Sequence, residues 1–205
     1  MHNYREGFVY VKDVIPTIQT ELRYCGTNNF VGTPIDGYVN SVAILTLEAA
    51  AALKKAQTKL AKQNLSILIY DAYRPQAAVN HFVRWAKVER DTLMKGVFYP
   101  DVQKKNLFKE GYIASKSRHS SGSTLDITIA NLETGIPLDM GSPYDFFGSA
   151  SWIKNSNLNT TQRVNRQLLQ KVMADHGFRN YAQEWWHFTL RGEPYRNQYF
   201  DFFVE

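Results

Sequence analysis

Three short segments of the chain carry the residue types that hydrolytic chemistry needs. In Ser117-Arg118-His119-Ser120-Ser121-Gly122-Ser123-Thr124-Leu125-Asp126, a histidine on a polar loop leads into an alternating run whose only charged member is Asp126. In Glu184-Trp185-Trp186-His187-Phe188, a second histidine follows a carboxylate three residues earlier. Zinc accepts imidazole nitrogen and carboxylate oxygen at about 2.0–2.2 Å, and a catalytic site keeps three protein ligands and one open position. His119, Asp126 and His187 are a candidate set of that kind. Such a site also needs a base to take a proton from the attacking water, whose pKa the metal lowers towards about 7, and Glu184 is the candidate. The third segment, Tyr70-Asp71-Ala72-Tyr73-Arg74-Pro75, sets an arginine at the exit of an apolar run, where its guanidinium could donate to a developing oxyanion. Each segment read alone has a plainer meaning. His119 could bond an aspartate for structure, His187 could be a polar neighbour of two core tryptophans, and Arg74 could pair with Asp71 or cap a turn.

The elements that must position these residues follow from hydrophobic pattern. Leu65–Tyr70 is an apolar, β-branched run that reads as a buried strand ending at Asp71. Leu125–Ile129 alternates, so Leu125, Ile127 and Ile129 face a core while Asp126 and Thr128 face the other way. Phe8–Val11 and Trp185–Leu190 read as further strands. Helices are expected over Thr46–Gln63, from Pro75 to about Met94 with Ala78, Phe82 and Trp85 on one face, and from Asn159-Thr160 to Gly177. The last carries Val164, Leu168, Leu169, Val172 and Met173 on one stripe. Residues 95–118 and 131–159 read as loop. Glu184 and His187 impose a condition: in a flat strand, residues three apart point to opposite faces, so the backbone must turn or twist near Trp185 for both to reach one metal. Strands and helices do not alternate regularly, which favours an α+β fold with a central antiparallel sheet and flanking helices over a doubly wound one.

With 205 residues, 44% of them hydrophobic and 21% charged, the chain is expected to be one domain, 1–205, with a sizeable core. The net charge of +5 is spread in ones and twos (Lys54-Lys55, Lys104-Lys105), which speaks against a nucleic-acid-binding stripe. Cys25 is the sole cysteine, so an intramolecular disulfide is excluded and any metal site must use His and carboxylate. Without an 18-residue apolar run, a membrane span is not expected. Charges at Arg5, Glu6, Lys12 and Asp13 take the place of an apolar signal core. The expectation is a cytoplasmic protein, or a periplasmic one whose leader was removed, with no obligate protein partner.

The order Tyr-Arg-Pro, then Ser-x-His-x-x-Gly-x-x-x-Asp, then Glu-Trp-Trp-His resembles that of the D-Ala-D-Ala dipeptidases of the VanX type, within a larger set of zinc peptidases that includes D-Ala-D-Ala carboxypeptidases. The similarity spans the chain from about Tyr24 to the last strand. It implies a single zinc peptidase domain that hydrolyses D-alanyl-D-alanine, with Zn2+ held by His119, Asp126 and His187, Glu184 as base and Arg74 stabilising the oxyanion. It further implies that Tyr24, Ser117 and Asp145, the last within Met140-Gly141-Ser142-Pro143-Tyr144-Asp145, hold the substrate termini. The physical sense is consistent, because a buried ammonium group requires a carboxylate partner such as Asp145. Ser123-Thr124 and Ser142-Pro143 depart from the commonest pattern and bear on pocket shape. A carboxypeptidase or L,D-endopeptidase acting on longer wall peptides, and a non-catalytic zinc module that binds cell wall, are the alternatives.

Overall fold

Thr124–Asn131 forms the strand at the centre of the fold, and its alternation is borne out. Leu125, Ile127 and Ile129 are fully buried against two helices, and Asp126 and Thr128 are buried on the opposite face. The computed structural model describes residues 3–205. In chain order its elements are β1 (Asn3–Arg5), β2 (Phe8–Tyr10), α1 (Val11–Val14), β3 (Gln19–Thr20), β4 (Ile44–Thr46), α2 (Leu47–Ala61), β5 (Leu65–Asp71), α3 (Gln76–Lys87), α4 (Lys95–Phe98), β6 (Thr124–Asn131), α5 (Thr160–Asp175), β7 (Phe178–Tyr181) and β8 (Glu184–Leu190). The larger sheet has the order β3-β5-β6-β8-β7 and is antiparallel except where β3 joins β5. A smaller sheet, β1-β2-β4, is antiparallel throughout. The fold is α+β.

The core lies between the larger sheet and α2 with α5. Ala49, Ala50, Leu53, Ala56 and Leu60 recur at helical spacing along α2 and are wholly buried, as are Leu169 and Met173 on α5. Each fully buried leucine or methionine among them contributes about 1.5–3 kcal/mol of transfer free energy. Both helices start where a side chain can satisfy an orphan amide. Thr46 accepts from the Ala49 amide at 3.3 Å, and Asn159 and Gln162 form a reciprocal pair at the head of α5. A second cluster, with Tyr24, Phe30, Phe82, Trp85 and Phe147, packs α3 against the loops on the other side of the sheet. No helix among the described residues is long and apolar enough to cross a membrane.

The structure differs from the sequence reading in several places: Lys95–Phe98 is a short helix inside 95–118, which reads as loop, and the strand expected over Phe8–Val11 stops at Tyr10. The helix after Pro75 ends at Lys87 and not near Met94, because Glu89, Arg90 and Asp91 interrupt the apolar stripe and leave nothing to bury. On α5, Val164 is exposed, and the inward position is taken by Arg166. Its guanidinium donates to the carbonyls of Met140, Trp152 and Ala150 at 2.6–2.8 Å, which ties down the loop that carries Asp145. Burial brings its pKa down to about 10, so it stays charged. Finally, β7 was expected as part of no element. With four residues and mixed polarity it is legible only as the partner of β8.

Candidate metal centre

Asp126 and His187 are directly opposed across β6 and β8, so their side chains share a face. His119 reaches the same point from a 3-10 turn, Arg118–Ser121, which runs straight into β6. The donor atoms form a tight triangle. His119 Nε2 lies 3.3 Å from His187 Nδ1 and 3.3 Å from Asp126 Oδ1, and His187 Nδ1 lies 3.1 Å from Asp126 Oδ1. A tetrahedral cation with bonds of about 2.0–2.1 Å has donor–donor edges of roughly 3.3–3.4 Å, so the triangle fits one. The proton inventory fits as well. His119 Nδ1 stands 2.7 Å from the Ala72 carbonyl, which can only accept, so Nδ1 carries the proton and Nε2 presents a lone pair. Asp126 Oδ1 is likewise an acceptor. Two of the three donors thus present lone pairs towards one point, as the ligands of a metal site must.

Glu184 arrives through a defect in the sheet. Between β7 and β8 the register runs Phe178↔Leu190, Arg179↔Thr189, Asn180↔Phe188, then jumps to Tyr181↔Glu184, so Trp185, Trp186 and His187 bulge from β8. That is the backbone irregularity near Trp185 that the spacing of Glu184 and His187 required. It brings Glu184 Oε2 to 3.4 Å from His187 Nδ1 while both tryptophans stay in the core. The Glu184 side chain is 24% exposed, so water can reach it. Burial pushes its carboxyl up, His187 draws it down, the Asp126 charge pushes it up and Arg74 draws it down, for a net rise to about 6.

Arg74 sits where β5 leaves the sheet. Its Nε donates to Asp71 Oδ2 at 2.9 Å, and one terminal nitrogen donates to Asp126 Oδ2 at 3.4 Å. The guanidinium lies over the rings of Tyr24 and Phe82, at 5.1 and 5.3 Å, which restrict it to one orientation. A one-residue register shift between Ile69 and Asp71 sets Asp71 beside Asp126. Arg74 is the cation that makes two adjacent buried carboxylates tolerable. Burial pushes Asp126 up, but the two imidazoles beside it outweigh burial and hold its carboxyl well below the usual range.

The remaining candidates line the same cavity, which has a volume of about 240 Å³ and includes Tyr24, Arg74, Ser117, His119, Asp126, Asp145, Glu184 and His187 in its wall. Tyr24 donates to Asp145 Oδ2 at 2.8 Å. Asp145 adopts φ 62°, the left-handed region that a residue other than glycine enters at a cost, as strained site residues do. Burial, then the charge of Asp126, raises its carboxyl well above the ordinary value, so it gains from a cationic partner. Ser117 accepts the His119 amide at 3.3 Å, which leaves its hydroxyl proton to give. Two contributors escaped the sequence reading in these roles. Asp71 also accepts the Tyr38 hydroxyl at 2.6 Å and approaches His119 Nδ1 at 3.4 Å. Tyr144 contacts Asp126 Oδ2 at 3.1 Å. The signal for Asp71 was a charge at the end of a buried strand; for Tyr144 it was only adjacency to Asp145.

The turn that carries His119 closes on Gly122, whose φ of 81° and crowding leave no room for a side chain: a Cβ there would meet Phe8 Cε1 at 2.2 Å. Phe8 cannot retreat, because Tyr73, Tyr195, Phe200 and Phe202 pack around it within 6 Å. Gly122→Ala is expected to cost on the order of 3 kcal/mol from backbone strain and overpacking, measurable as a shift in the urea midpoint.

Residues 4–205 match the protein family described as D-ala-D-ala dipeptidase. The chain is 38% identical over 199 residues to the D-alanyl-D-alanine dipeptidase of Enterococcus faecium, covering 97% of this chain and 98% of that one. It is 36% identical over 195 residues to the Streptomyces coelicolor protein of the same name, covering 95% and 96%. To the Escherichia coli D-alanyl-D-alanine dipeptidase it is 31% identical over 180 residues, covering 86% and 81%.

Proposed function

Because the chain belongs to the D-Ala-D-Ala dipeptidase family, we propose that it is a zinc peptidase that hydrolyses D-alanyl-D-alanine to free D-alanine. The observation that carries this reading is the triangle of His119, Asp126 and His187 donors, with Glu184 on one side and Arg74 on the other. In it, these three side chains hold the zinc. When bound there, zinc supplies Lewis acidity towards a carbonyl oxygen and lowers the pKa of water. Glu184 takes the proton of the attacking water on a carboxylate oxygen and returns it to the leaving amine nitrogen. Arg74 donates N–H groups to the oxygen on which charge develops, from an orientation set before substrate arrives.

Asp145, supported by Tyr24, receives the substrate ammonium group, and the Ser117 hydroxyl donates to its carboxylate. A cavity of about 240 Å³ lies below the roughly 300–1,000 Å³ of pockets that hold drug-sized ligands, which favours a dipeptide over a longer wall peptide. A binding module has no use for a base and an oxyanion donor beside its metal, which counts against the non-catalytic reading.

The test is release of D-alanine from D-alanyl-D-alanine by the purified protein, with a stem pentapeptide in parallel. Release that stops with chelator, returns with zinc and is far slower from the pentapeptide is the expected result. Preference for the pentapeptide would replace the dipeptidase reading by a carboxypeptidase one. Zinc bound at one equivalent without release from either would favour the binding module.

A further inference from the structure

We infer that Tyr144 is a positioning residue for the metal ligand: its hydroxyl holds the outer oxygen of Asp126, so that one oxygen alone faces the cation and Arg74 stays available to the substrate. The inference rests on the reading of His119, Asp126 and His187 as zinc ligands and adds a residue to it.

Tyr144 is 3% exposed. Its ring stacks on Tyr70 at 4.6 Å and 14° and meets the edge of Trp186 at 5.4 Å and 80°, so the side chain has one place to be. The hydroxyl oxygen stands 3.1 Å from Asp126 Oδ2 and 3.2 Å from the Tyr24 hydroxyl. It has one proton and two acceptors. The carboxylate is charged and the phenol is not, so the proton goes to Asp126. Tyr24 gives its own proton to Asp145 at 2.8 Å. Each carboxylate thus has its own tyrosine, one on the metal side of the cavity and one on the ammonium side.

The two oxygens of Asp126 are then distinct. Oδ1 faces both imidazoles, at 3.1 and 3.3 Å. Oδ2 is held by Tyr144 and, at 3.4 Å, by Arg74. Without the hydroxyl, the outer oxygen of a buried carboxylate keeps only the arginine. Either the guanidinium is drawn in and lost to the oxyanion, or the carboxylate turns and offers both oxygens to the cation, filling the position that water and substrate need. Both routes lower turnover, and the second alters metal affinity. Neither touches the ammonium site.

The experiment compares Tyr144→Phe and Tyr24→Phe with the wild-type enzyme, using zinc affinity by chelator competition and, at saturating zinc, kcat and KM for the dipeptide. Tyr144→Phe is expected to bind zinc about 10–100-fold more weakly, the usual range for loss of a group that orients a ligand, with lower kcat and little change in KM. Tyr24→Phe is expected to do the reverse, with wild-type zinc affinity and raised KM. Wild-type zinc affinity and kcat in Tyr144→Phe, or an effect confined to KM, would overturn the inference. Failure of the wild-type protein to bind zinc would overturn the metal reading and this inference with it. Should Tyr144→Phe not fold, proton NMR of the wild-type enzyme decides. A protected tyrosine hydroxyl proton that moves on zinc loading supports the assignment, and its absence overturns it.

Discussion

Glu184→Ala is expected to keep zinc at one equivalent while turnover of D-alanyl-D-alanine falls by roughly 10³–10⁴-fold. The loss is near the top of the range for a single acid–base group because, in the proposed mechanism, one carboxylate serves two proton transfers, from the attacking water and to the leaving amine. Metal binding should survive because the three donors do not depend on Glu184. They are held by the β6–β8 pairing and by the bond from His119 to the Ala72 carbonyl. KM should change little, since in the proposed mode Asp145 and Ser117, and not Glu184, take the termini of the substrate. The measurement is metal content by atomic absorption together with single-turnover kinetics. A variant that lost zinc along with activity would make Glu184 a determinant of the metal site and not the base. Near-wild-type turnover would remove it from the mechanism.

Arg74→Ala is expected to lower kcat by about 10²–10³-fold, the usual consequence of removing one oxyanion donor. This residue also carries a structural duty. It bonds Asp71 at 2.9 Å and Asp126 at 3.4 Å, and both carboxylates are almost fully buried. Breaking a buried pair by removing one partner costs about 3–5 kcal/mol, so the melting temperature should drop as well. Added guanidinium is expected to restore stability and rate together, because a small planar cation fills the vacated space. Arg74→Lys should recover stability in part but not the rate, since an ammonium cannot reproduce the planar fork that bonds Asp71 while facing the cavity. Equal recovery of both would show that only the charge matters.

Much of the centre could be read from local sequence. Asp126 and His187 stand out because charged and metal-binding residue types are rare in the middle of apolar runs, which must be strands with a covered face, and His119 and Glu184 stand out by leading into those runs. The alternation at Leu125–Ile129 assigned Asp126 to the face away from the α2–α5 core, and the structure keeps it there. The helix starts expected at Thr46 and at Asn159-Thr160 lie within a residue of the observed ones. What failed locally failed for a physical reason. Val164, expected on the buried stripe, is exposed, and Arg166 is buried instead, donating to three carbonyls that no pattern within the helix discloses.

The chain by itself determined which residues could do the chemistry, their order and the strands that carry them, since residue type and periodicity are local properties. It also required that the backbone break its pleat between Glu184 and His187. Only the tertiary structure decided how. The bulge of Trp185, Trp186 and His187 exists because β7 pairs with both ends of β8 while the tryptophans claim the core between them. The donor triangle, the bond from Arg74 to Asp126 and the contact from Tyr144 to Asp126 join residues as far as 68 positions apart. Distances of 3 Å between such residues arise from packing, which no single stretch of sequence contains.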